Sequence, residues 1–89
     1  MYTITFTSSF KRAYKKTIVG NPELKVRFWE AVDTFMHDPF DRKLRTHKLS
    51  GKLSHLYSFR ITFEIRIVFY FKGSDKAIFV DIGSHDDVY

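Results

Sequence analysis

Tyr57-Ser-Phe-Arg-Ile-Thr-Phe-Glu-Ile-Arg-Ile-Val-Phe-Tyr-Phe-Lys-Gly-Ser-Asp-Lys-Ala-Ile-Phe-Val-Asp-Ile82 decides the fold. Its residues repeat with a period of two. Tyr57, Phe59 and Ile61 alternate with Ser58, Arg60 and Thr62; Ile65, Ile67, Phe69 and Phe71 alternate with Arg66, Val68 and Tyr70; Ile78, Val80 and Ile82 alternate with Ala77, Phe79 and Asp81. Alternation in residues this rich in β-branched and aromatic side chains predicts three strands. Gly73-Ser74-Asp75 supplies one turn, while the other, near Thr62-Phe63-Glu64, has neither Gly nor Pro to define its register.

Upstream the period changes. Leu24, Phe28, Ala31, Val32, Phe35 and Met36 form a helical stripe that ends before Pro39. Asn21 suits its cap, Pro22 the first helical position, and Glu23 the positive end of the helix dipole. A shorter helix precedes it, with Phe10, Ala13, Tyr14 and Thr17 on one face and a hydroxyl cap from Thr7-Ser8-Ser9. Tyr2-Thr3-Ile4-Thr5-Phe6 reads as an opening strand, and residues 39–52 as a basic connecting loop. The order β-α-α-β-β-β predicts an α+β fold. An N-terminal strand and two helices pack on one face of a mostly antiparallel four-stranded sheet, in one domain spanning residues 1–89.

Composition narrows the function. The 89 residues are 44% hydrophobic and 18% aromatic, enough for one small core, so disorder is not expected. The absence of Cys removes disulfides, thiolate metal sites and thiol nucleophiles. A small domain without staples is expected in a reducing, cytoplasmic setting, with no membrane association. Fifteen Lys and Arg against ten Asp and Glu give +5, a balance suited to polyanionic partners. The cations cluster: Arg42, Lys43, Arg45, Lys48, Lys52, Arg60 and Arg66 stand against Glu64 alone over residues 42–66.

With one sheet face packed on helices, the other faces water or a ligand. Arg60 and Arg66, at opposite ends of a hairpin turn, are candidates for that face, and guanidinium groups suit bidentate phosphate contact. Glu64 lies between them, as an orienting salt-bridge partner or a proton acceptor. None of the four histidines is spaced to hold a metal with another, so no metal site or cofactor is expected. His37 reads as a helix-terminal cation and His55 as a turn residue. His47 lies among cations. His85 follows Gly83 and is flanked by Asp86 and Asp87, which can keep it protonated as a proton donor.

Leu49-Ser50-Gly51, Arg60-Ile61-Thr62, Arg66-Ile67-Val68-Phe69 and the tail Ile82-Gly83-Ser84-His85-Asp86-Asp87-Val88-Tyr89 together resemble the RelE/ParE superfamily of toxins, nearest its YoeB and YafQ branches. The resemblance covers nearly the whole chain. It implies a compact ribonuclease fold that cuts messenger RNA in the ribosomal A site, with the substrate 2′-hydroxyl as nucleophile and no metal. It also implies a cognate antitoxin, with the ribosome and its messenger as the other partners. By the resemblance Arg66 takes the arginine at the phosphate, Arg60 a position held by Arg or His, and His85 the C-terminal catalytic histidine. Tyr89 takes a terminal aromatic, Glu64 a functional Asp, and His47 a loop histidine. Arg42, Lys43, Arg45, Lys48 and Lys52, with Tyr89, are expected to bind RNA or the ribosome. Lys43 stands where YoeB-like members carry their general base, which leaves that role vacant or moved to Glu64 or His47. Two other readings of this fold are a ParE-like inhibitor that binds DNA gyrase without catalysis and an inactive basic RNA-binding module.

Overall fold

The computed structural model describes residues 1–51 and 55–84. The elements are β1 (Thr3–Phe6), α1 (Ser8–Ile18), α2 (Pro22–His37), a 3-10 turn (Arg42–Leu44), β2 (His47–Lys48), β3 (Tyr57–Arg60), β4 (Ile65–Lys72) and β5 (Lys76–Ser84). They form one mixed sheet in the order β1-β5-β4-β3-β2. β1 runs parallel to β5, and every other pairing is antiparallel. The sheet has five strands where sequence predicts four. The addition, β2, is two residues long inside the cation-rich loop, too short to display a period. No helix among the described residues is long and apolar enough to cross a membrane.

The helices form where their caps dictate. Thr7 Oγ1 accepts the Phe10 N–H at 3.1 Å, and Asn21 Oδ1 accepts the Leu24 N–H at 3.1 Å, with Pro22 at the helix start. Thr62 defines the turn that sequence left open. Its hydroxyl accepts the Ile65 N–H at 3.1 Å, while the Ile61 N–H donates to the Ile65 carbonyl at 2.9 Å.

Both helices contribute to one aromatic core with β3, β4 and β5. Phe35 of α2 is its hub: its ring lies 4.9 Å from Phe59, 4.9 Å from Phe69 and 5.2 Å from Phe79, joining the three strands to one helical residue. Simple alternation fails in β5. The register passes from Val68↔Asp81 to Phe69↔Phe79, so Val80 is an extra residue in a bulge. Ala77 and Phe79 on one side of the bulge, and Ile82 on the other, therefore all reach the core. A strict period would have sent Ile82 to the opposite face from Phe79.

β1 covers β5 only as far as Phe79. Beyond that point α1 takes over the edge through hydroxyls. Thr7 Oγ1 donates to the Phe79 carbonyl at 3.2 Å, Ser9 Oγ to Val80 at 2.8 Å and Thr17 Oγ1 to Ile82 at 3.4 Å. A strand edge that would otherwise present bare carbonyls is thereby covered and satisfied.

Candidate active site

Pairing registers carry side chains onto shared faces, because partners in a ladder point the same way. Phe59, Ile67 and Phe69 point to the helices. Their neighbours Ser58, Arg60, Arg66 and Val68 therefore point to the other face. There the registers form two adjacent rows: His47, Ser58, Val68 and Asp81, then Arg60, Arg66 and Gly83. Ser58 and Val68 are buried on that face, and both arginines are half-buried.

Arg60 and Arg66 are direct cross-strand partners. Facing side chains in an antiparallel ladder have Cβ atoms roughly 4.5–5.5 Å apart, and like charges so placed repel. The ion pairs formed among the described residues are Arg27 with Glu23 and His37 with Asp33; neither involves this arginine pair or Glu64, which is exposed. Arg66 Nη2 donates weakly to the Phe63 carbonyl at 3.5 Å, and its buried Nε has no hydrogen-bond partner among the described residues. Such a group is costly to leave unmade and suits an incoming anion.

His47 is held by its own loop. Its Nδ1 lies 3.1 Å from the Arg45 carbonyl, which can only accept, so the proton sits on Nδ1 and Nε2 is the basic nitrogen of the neutral ring. Arg45 presents that carbonyl from a left-handed backbone (φ 54°), the one such non-glycine residue among those described. Sparse conformations of this kind persist where surroundings enforce them.

The cations divide between locations. Arg42, Lys43 and Arg45 join Arg60 around a cleft of about 850 Å³ at the sheet edge, where β2 has stopped pairing and β3 continues. Lys48 does not join them. It pairs with Tyr57, whose ring stacks on core Phe69, and so belongs to the helix-facing side. Lys52, His85 and Tyr89 lie outside the described residues. β5 is described to Ser84, paired with Ile65. Sequence reasoning passed over Phe40, which lines the cation cleft at 55% exposure; its signal was a large aromatic between Pro39 and the cation run. Among the described residues no three His, Asp or Glu gather as a metal-binding group.

Solved structures share this architecture. The metal-bound toxin from Helicobacter pylori superposes with a TM-score of 0.80 at 22% identity over 100% of both chains. The toxin of the YoeB-YefM complex from Staphylococcus aureus gives 0.76 at 21% identity, covering 96% of this chain and 98% of that one. YafQ from E. coli strain BL21(DE3) gives 0.75 at 10% identity, covering 100% and 99%. At such identities the likeness establishes the fold, the RelE-like fold of small bacterial toxins. No curated protein sequence is significantly similar to the chain. The model of the YafQ family, described as the bacterial toxin of a type II toxin-antitoxin system, matches residues 2–89. The chain belongs to that family.

Proposed function

We propose that the protein is an endoribonuclease that cuts messenger RNA on the ribosome without a metal and is silenced by a partner antitoxin. The carrying observation is the cross-strand Arg60–Arg66 pair, which forms no ion pair among the described residues, on the sheet face one row from His47. Two arginines at facing ladder positions, with no carboxylate paired to them among the described residues, gain from a phosphate held between them, and gain more as the phosphorane accumulates charge.

In the proposed reaction the substrate 2′-hydroxyl attacks the adjacent phosphorus. Its proton passes to His47 Nε2 or to the Glu64 carboxylate. Arg66 and Arg60 hold the non-bridging oxygens. The P–O5′ bond breaks, a 2′,3′-cyclic phosphate forms, and His85, carried over from the family's C-terminal histidine, protonates the departing 5′-oxygen. The nucleophile is already part of the substrate, so no metal-activated water is required. A positioned proton donor is worth roughly 10²–10⁴ in rate, and a lost charge-stabilising donor costs about 10²–10³.

Ribosomes and messenger require a cytoplasmic setting. An antitoxin partner is supported by family membership and by the S. aureus YoeB, solved with YefM. The helical surface suits an acidic amphipathic segment. α1 carries Lys11, Arg12, Lys15 and Lys16 and no acid, beside an apolar cleft of about 380 Å³ that includes Phe10, Tyr14, Phe28 and half-exposed Trp29.

Primer extension on a translated messenger, with purified protein and ribosomes, tests the activity. Cuts that need ribosomes are expected. Intact messenger accompanied by cleaved-DNA gyrase complexes would overturn the reading in favour of a gyrase poison.

A further inference from the structure

We infer that the cleft between residues 38–46 and Arg60 is a nucleotide subsite in which Phe40 stacks on an unpaired base beside the cut. The inference rests on the proposed ribonuclease reading and specifies how substrate is held.

Phe40 is presented as a platform. Its ring is backed by Phe71, stacked at 5.9 Å and 29°, and by the edge of Tyr57 at 6.1 Å, yet it remains 55% exposed toward the cleft. The backbone beneath it is tied at several points. The Phe40 N–H donates to Asp38 Oδ1 at 3.0 Å, and the Thr46 hydroxyl donates to the Pro39 carbonyl. An aromatic ring braced on one side and open on the other is what base stacking requires, and stacking tolerates any base.

The cleft's cations are not paired with carboxylates among the described residues. Arg42, Lys43, Arg45 and Arg60 face Asp38 and Asp41. Asp38 caps the Phe40 N–H, and Asp41 Oδ1 accepts the Lys43 N–H at 2.9 Å, so both acids are committed to shaping the turn. None of the four cations forms an ion pair among the described residues. The volume, about 850 Å³, lies within the range of small-molecule sites. Two features connect it to the candidate chemistry. Arg60 belongs both to the cleft and to the arginine pair, and left-handed Arg45 lines the cleft while its carbonyl holds His47. An RNA chain with a phosphate held at Arg60 would have the exposed Phe40 ring in the same cleft.

The test uses the full protein and a six-nucleotide single-stranded RNA, intact or carrying one abasic sugar moved through each position, at low fixed salt. Phe40→Leu is expected to weaken binding of the intact oligonucleotide roughly tenfold. It should leave affinity unchanged for the one abasic oligonucleotide that lacks the stacked base. Phe40→Trp should restore binding, and thermal melting confirms that each variant is folded. Equal affinity of Phe40→Leu and the parent for intact RNA would overturn the inference, as would failure of the parent to bind. A Phe40-dependent affinity for an acidic peptide without any effect on RNA would also overturn it. The two readings fail separately. If Arg66→Ala abolishes cleavage while Phe40→Leu binds normally, only the subsite falls; if Arg66→Ala cleaves as the parent does, the ribonuclease assignment of the arginine pair falls.

Discussion

Arg60 and Arg66 are placed against the local interest of the fold. Neutralising one should therefore help the sheet while harming the chemistry proposed for it, a conflict characteristic of functional sites. Arg60→Thr puts a β-branched residue in the same ladder position and removes the repulsion. It is expected to stabilise the protein by about 0.2–1 kcal/mol in urea unfolding while slowing messenger cleavage by roughly 10²–10³. Lower stability together with intact cleavage would contradict both halves. At this scale sequence was informative about kind and less so about place. The two arginines were readable as partners because they flank one turn. Glu64, which lies between them in sequence, is exposed and makes no ion pair among the described residues. Phe40 and the left-handed Arg45 gave no periodic signal, since their roles come from a non-repeating backbone.

Elements with a full period were legible. α2 runs Pro22–His37, with the cap and first residue expected of it, and β4 runs Ile65–Lys72 as its alternation requires. β2 and the bulge at Val80 were not, because one is two residues long and the other is a break in pattern that only pairing with Phe69 and Val68 reveals. The hydroxyls of α1 were also hidden: Thr17 reads as part of an apolar face, yet it donates to the Ile82 carbonyl. Thr7 has two duties, capping α1 and donating to Phe79. Thr7→Ala should cost about 0.5–2 kcal/mol, read as a lower urea midpoint with unchanged slope. Trp29→Ala tests the helical face, and its affinity for the partner antitoxin is expected to fall at least tenfold, the loss typical of an exposed aromatic anchor. An unchanged Kd would exclude this face from the interface.

The whole molecule is a sheet with two unlike sides, one filled with Phe rings and helices, the other carrying arginines and a buried serine. The +5 charge was legible from composition, but its usefulness depends on topology. The 3-10 turn brings Arg42, Lys43 and Arg45 to the unpaired edge of β3 beside Arg60, whereas Lys48, close in sequence, is not among the residues lining that cleft. If the four cleft cations contact phosphate, as proposed, log K against log salt with single-stranded RNA has a slope of roughly −3. A titration series from low to moderate salt measures it, and a flat response would remove the cleft as an electrostatic footprint.

Single-turnover cleavage on programmed ribosomes by Arg60→Ala, Arg66→Ala and the double variant asks most directly whether two strand guanidiniums grip one phosphate. Each single change is expected to slow the cut by roughly 10²–10³, and the double change by far less than the product, because two groups acting as a unit are lost together. Parental rates from either single variant, or losses that multiply in full, would contradict a shared phosphate.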